Sequence, residues 1–346
     1  MVLGFMVTGF FTSQAASFEK ATYSDRLRLP FRDDRLGISR SVTVDPVTAE
    51  IFVTDWRYRR IVIFDKDLLF RYMMAGDRFS TSPNEVAIDP EEYLIVLPSA
   101  GDTLSYLDFD GAPIGQLPLK GLPEDLVATP RLVSVALSPD GETVYTLDGN
   151  NKIVWIAGRD GTIRHYIDMG AGLDEQDFRD FIFGHVDVYG QTLIVTVPTS
   201  GVVKLFDLEG GSPRFVGLQG TAPCQAAFPV AGALDAEGRV LVLDNQRALV
   251  SVWQVEGNKC LGEFAGFGGG PGGLYRPLDL ALDAQGRVFI SQGYQGRVQV
   301  YQHDSPAAGT TLEEEAPPAK APAREPSVEQ ATPQKPEPES SQDSGN

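Results

Sequence analysis

Glu85, His185, Asp187 and Asp279 are the side chains of this 346-residue chain whose types and spacing could do chemistry. Each stands where its local pattern otherwise places a small residue. The relevant strands are "SVTVD", "EVAID", "SVALS", "HVDVY", "AGALD" and "DLALD". Four residues before the end of each they carry Ser41, Glu85, Ser134, His185, Ala231 and Asp279, and two residues before it Thr43, Ala87, Ala136, Asp187, Ala233 and Ala281. Carboxylates and an imidazole converging on one axis are the donor set of a divalent cation, calcium by the oxygen ligands, with a wider choice if the imidazole joins. The same groups would also be content facing water or pairing with backbone. Catalytic motifs are thin. His165, His185 and His303 are the only histidines, there is no GxSxG or HExxH, and no Ser-His-Asp arrangement can be built with specificity. The Gly-rich segment Gly266 to Gly273 lacks the Gly-Lys-Ser/Thr ending of a phosphate loop and reads as a connection.

What must position these residues is a repeat. The first strands end at Asp45, Asp89, Ser138, Tyr189, Asp235 and Asp283, which lie 44, 49, 51, 46 and 48 residues apart. After each comes a turn, then a second apolar strand ending at Asp55, Pro98, Asp148, Pro198, Asp244 or Gln292, then a polar turn and a third strand such as "IVIF" or "VQVY", and where the unit is complete a fourth. Four short strands in a unit of this length, six times over, predict an all-β, six-bladed β-propeller of four-stranded antiparallel blades. The last unit stops after three strands at His303, while "FEKATYSDRLRLPF" precedes the first. Part of Ala21 to Pro30 should therefore supply the missing outer strand and close the ring.

The turns between second and third strands should ring the channel mouth. They carry Trp56, Arg57, Tyr58 and Arg59, then Asn150 and Asn151, then Asn245, Gln246 and Arg247, and finally Tyr294. Exposed Trp, Tyr and Arg are the residue types that anchor partners. Asp55, Asp148 and Asp244 look like turn residues with structural roles. An insertion, Asp174 to Phe183, reads as a short helix capped by Asp174 with Phe178, Phe181 and Ile182 on one apolar face.

The elements "ALDAQGRVFI" and "RVQVY" of the last unit, "LDAEGRVLVLDN" of the fifth and "VTDWRYRRIVIFD" of the first resemble the NHL-repeat family, over about residues 41–302. Arg60 and Arg297 match that family's repeat arginine, which implies a structural role for them. Propellers of this type serve as protein-binding, RNA-binding and enzyme scaffolds, so the resemblance speaks to fold more than to function. Distantly similar gluconolactonase-like propellers and the peptide-amidating lyase hold channel metals, which would make Glu85, His185, Asp187 and Asp279 the metal set of a hydrolase or lyase. The Asn-rich ligands of the first and the several histidines of the second are missing here. The expectation is a non-catalytic module binding a protein, peptide or glycan of the cell envelope through its loop face, as a monomer.

Composition agrees. A net charge of −18 lacks the basic footprint of a nucleic-acid binder. Val2 to Phe11 is an apolar run too short to span a bilayer, followed by Ser13-Gln14-Ala15, which suits cleavage, so residues 1–15 read as a signal peptide and the protein as periplasmic or secreted. The propeller is then 16–303. Residues 304–346 are rich in Pro, Ala and Glu, with almost no large apolar side chains, and are expected to be a disordered tail dispensable for folding. The two cysteines, Cys224 and Cys260, fall near opposite faces by repeat position, which argues against a bridge.

Overall fold

The computed structural model describes residues 20–308, apart from 32–33, 77–78, 80 and 91–92. Residues 1–15, expected to be a signal peptide, and the expected tail beyond Ala308 lie outside the described residues. Among the described residues twenty-four strands form six four-stranded antiparallel sheets. We number the blades one to six in chain order. Their innermost strands are Ser39–Val44, Pro83–Asp89, Leu132–Leu137, Val186–Tyr189, Pro229–Leu234 and Pro277–Leu282.

Closure follows the expectation. Thr22–Arg26 is the outermost strand of blade six and pairs antiparallel with Arg297–Gln302, Thr22 opposite Gln302 and Tyr23 opposite Tyr301. A ring has no free end, so every blade finds a neighbour on both flat faces. Six apolar clusters result, one at each junction. Between blades one and two, for example, Phe52, Ile61 and Ile63 meet Val86, Leu94 and Val96. The second strands are buried on both faces and carry apolar runs such as Ile51, Phe52 and Val53, while the outermost strands are half exposed.

Asp55, Asp148 and Asp244 are structural, as the turn reading has it. Each is buried and collects backbone N–H groups of the linker leading into its own blade: Gly37 and Ile38 for Asp55, Arg131 for Asp148, Ala227 and Phe228 for Asp244. Arg60 joins them, pairing with Asp55 at 3.0 Å and Asp34 at 2.8 Å.

Three expectations are corrected. Cys224 and Cys260 form a disulfide with Cα atoms 5.7 Å apart. Right-handed twist of about 20–25° accumulates at each strand step, so by the fourth strand the chain direction has turned far from the axis. Cys260, in the outermost strand Lys259–Ala265 of blade five, therefore lies beside the linker carrying Cys224 rather than at the far face. The neighbouring Cys224 N–H donates to Glu263 of that strand.

The helix is shorter than expected. It spans Glu175–Asp180, with the Asp174 carboxylate accepting from Asp177 N–H. Beyond it the chain is extended, so alternation by two replaces the helical period: Phe181 and Phe183 are buried and Ile182 is exposed.

The tail does not begin at Asp304. Asp304 pairs with Arg239 at 2.6 Å, Ser305 is buried, and Ala307 makes an antiparallel bridge with Asp235. Residues 304–308 thus lie across the first turns of blades five and six, and form part of the folded body.

Candidate functional site

The innermost strand of each blade is a sheet edge facing the axis, so its outward N–H groups need partners. The unusual residues of the sequence supply them. Asp279 of blade six accepts from Val42 N–H of blade one at 3.0 Å. Glu85 of blade two accepts from Val135 N–H and the Ser134 hydroxyl of blade three. Ser134 in turn accepts from Val186 N–H of blade four. Side chains at one level of the ring thus stitch neighbouring innermost strands together.

His185, from blade four, bridges the axis. Its Nε2 lies 3.0 Å from Glu85 and 3.6 Å from Asp279. Its Nδ1 is buried and finds no hydrogen-bond partner among the described residues. Burial pulls the imidazole down, but the Asp279 and Glu85 carboxylates outweigh it, and its pKa is raised to about 10. Burial pushes Asp279 up to about 6 against the pull of His185. The layer is therefore a charged septum that narrows the channel at mid-height. The expected convergence of Glu85, His185 and Asp279 is present, inside the channel rather than at its mouth. Asp187 stands apart, one pleat along, with Val188 N–H and the Tyr189 hydroxyl as partners.

A cation would need oxygens and an imidazole nitrogen turned toward one point. Here the carboxylate oxygens are taken by backbone N–H groups, a hydroxyl and the imidazole. Among the described residues no group of three or more His, Cys, Asp or Glu side chains is arranged to hold a metal. The geometry is that of a proton-bridged hub, and we derive no metal chemistry from it.

The septum separates two unequal spaces. Toward the strand starts is a narrow recess of about 30 Å³ bounded by Arg40, Asn84 and Leu278. Toward the turns between first and second strands is a cavity of about 350 Å³. Because Asp55 pairs with Ser39 at the start of its innermost strand, the turns carrying Trp56, Asn150, Asn245 and Tyr294 belong to the narrow side, opposite the large cavity. Sequence reasoning located the ring of turns but missed the cavity, whose only signal was the run of alanines at Ala87, Ala136 and Ala281.

The turn residues divide into two groups. Asn151 is buried, its amide bound to the backbone of Ala128 and to Asp148. Arg247 is paired with Glu263 and the Gln225 carbonyl. Asn245 donates to the Pro277 carbonyl, and exposed Asn150 to that of Thr129. All four side chains are engaged in holding loops. Trp56, Tyr58 and Tyr294 are instead 42%, 48% and 56% exposed, and Arg57 and Arg59 are exposed beside them. The two aromatic turns are joined through the linker into blade one. Gly296, in the Tyr294 turn, sits so close to the Leu36 carbonyl that a Cβ would fall 1.7 Å from it, and Gly37 touches the Arg57 and Tyr58 side chains. Tyr294 also packs on Tyr275, and Tyr275 on Phe267, which is 75% exposed. Exposed Arg40 and Arg276 flank this strip.

No family model matches the chain, and no curated protein matches it in sequence. Among solved structures, a structural-genomics protein of unknown function from Bacteroides thetaiotaomicron is similar, with a TM-score of 0.59 at 12% identity, over 82% of this chain and 73% of that one. The likeness supports the six-bladed fold alone. No helix among the described residues is long and apolar enough to cross a membrane.

Proposed function

We propose that this chain is an exported NHL-type propeller acting as a non-catalytic binding module, which holds a carboxylate-bearing protein or peptide on the face of its second-to-third strand turns. The observation that carries this reading is the strip Trp56, Tyr58, Tyr294 and Phe267, large rings held in water with Arg40, Arg57, Arg59 and Arg276 around them. Large exposed rings on one face are costly to leave wet, and arginine beside them can clamp a carboxylate while the rings bury apolar surface. The basic strip stands out on a chain of net charge −18, whereas the helix near blades three and four is acidic at Glu175, Asp177 and Asp180. Such asymmetry orients an acidic partner toward blades six and one. Export is supported by the disulfide, which belongs to oxidising compartments. A hydrolase reading would need open ligand positions in the septum, and its oxygens are engaged as described.

Trp56 provides the test, because Trp155 and Trp253 are buried and acrylamide quenching at low concentration reports on Trp56. A capped glutamate-rich peptide with one aromatic residue should shield Trp56, a lysine-rich counterpart should not, and Arg57→Ala with Arg59→Ala should abolish the shielding. Equal shielding by both peptides, or none by either, refutes the proposal. Trp56→Ala should change folding stability by less than about 1 kcal/mol, as befits a surface site.

A further inference from the structure

The cavity on the opposite face is separate from the loop-face strip. Its wall is the ring of positions one pleat beyond the septum, where Ala87, Ala136 and Ala281 open the space and Thr43 donates its hydroxyl to the Val86 carbonyl. Within that ring Asp187 alone is ionisable. Its carboxylate accepts from Val188 N–H at 2.8 Å and from the Tyr189 hydroxyl, and no ion pair reaches it among the described residues. Burial pushes its pKa up, against the pull of the His185 imidazole two residues earlier in the chain. The floor adds to the imbalance, for the one imidazole of His185 already serves Glu85 and Asp279. Among the described residues neither Lys nor Arg lines the cavity. The rim carboxylates are satisfied elsewhere, Asp45 by Val47 N–H and Thr48, Asp283 by Arg287. Asp187 is thus the carboxylate left to a guest.

We propose that this cavity binds a small organic cation, an amine whose ammonium pairs with Asp187 and whose apolar body lies against the alanine ring. A space of about 350 Å³ is of the size that takes a small molecule rather than a bare ion. An ammonium brings the three donors a carboxylate can use, and desolvation on both sides makes the pair worth more than it would be in water. A neutral molecule of the same shape leaves the imbalance uncorrected, and an anion worsens it.

Benzylamine is a suitable probe, with benzyl alcohol and benzoate as its neutral and anionic counterparts and calcium chloride as the metal control, each titrated calorimetrically into the full chain. Benzylamine should bind at least about ten-fold tighter than either counterpart, the scale of one partly desolvated charge pair. Asp187→Asn should remove that preference. Ala136→Leu, filling the space from another blade, should block the amine without touching Asp187. Trp56→Ala should leave amine binding unchanged, which separates this site from the loop face. Melting curves of the variants confirm that they fold, and the comparison of three probes on the unaltered protein stands even if one does not. Benzyl alcohol binding as well as the amine, a preference that survives Asp187→Asn, no amine heat at millimolar concentration, or calcium binding that depends on Asp187 would each overturn the proposal.

Discussion

Cutting the chain at two points five residues apart should give opposite results. Removal of everything after Ala308 should leave the melting temperature unchanged within error, whereas removal of everything after His303 should lower it by about 5 °C. The difference comes from what residues 304–308 touch. Asp304 gives two oxygens to Arg239, at 2.6 and 3.2 Å, and the Arg239 side chain is only 1% exposed. Three backbone bonds follow, Ala236 N–H to Pro306, Ala307 N–H to Asp283 and Ala308 N–H to Leu234. Breaking a fully buried ion pair costs about 3–5 kcal/mol. Here Asp235 remains 2.7 Å from Arg239 and Asp304 is 24% exposed, so the loss of Asp304 falls nearer 2 kcal/mol. The three backbone bonds, about 1 kcal/mol each, are largely offset by the entropy returned when five residues are freed. A net 2–3 kcal/mol at about 2 °C per kcal/mol, extrapolated to a domain of this size, gives the figure above. Differential scanning calorimetry of both truncations and of Asp304→Asn is the assay. Asp304→Asn should reproduce most of the loss, and equal melting of the two truncations would refute the latch.

Deleting residues 16–30 removes the outermost strand of blade six together with buried Ala21 and Leu27, and should cost several kcal/mol by thermal melting. Reduction of the Cys224–Cys260 bridge, which closes a loop of 36 residues, should destabilise by about 3–4 kcal/mol, read as a shift in denaturant midpoint with and without reductant. The pKa of His185 is raised on folding from 6.5 to about 10, so its stabilising contribution is complete below pH 6.5 and lost as pH rises toward 10. Melting temperature should therefore fall across that window in the unaltered protein, and His185→Gln should flatten the slope.

The fold was legible because its signal is repeated. Six copies of strand, turn, strand fix register even where Pro98 and Pro198 replace the usual Asp, since pairing is set by the apolar pattern around them. The convergence of Glu85, His185 and Asp279 was legible for the same reason: one counting rule applied to six strands puts them at one level. What was not legible depends on contacts remote in sequence. Nothing in "GNNK" says that Asn151 is claimed by Ala128, and nothing in "NQRA" says that Arg247 is claimed by Gln225 and Glu263. Trp56 and Tyr58, in a turn of the same kind, stay exposed, with Arg60 4.9 Å over the Tyr58 ring. The latch was hidden because Asp304 opens a segment whose composition reads as disordered, while its partner Arg239 lies 65 residues earlier. The disulfide was hidden by twist, which sequence position alone does not convey.

The closing strand has a consequence for the order in which the molecule is built. Thr22–Arg26 is made long before its partner strand Arg297–Gln302, and the Ser24 hydroxyl meets the Val300 carbonyl across 276 residues. Each of blades one to five folds from consecutive hairpins, but blade six has to wait for a contact whose loop-closure entropy exceeds that of a ten-residue hairpin by about 3 kcal/mol. A growing chain therefore carries this strand unpaired until blade six is made, and a chain that stops short of blade six never acquires a partner for it. Synthesis of blade six is the event that hides this edge, so chains that lack it expose a sticky strand that chains containing it do not, and proteolysis or aggregation would sort the two without any further signal.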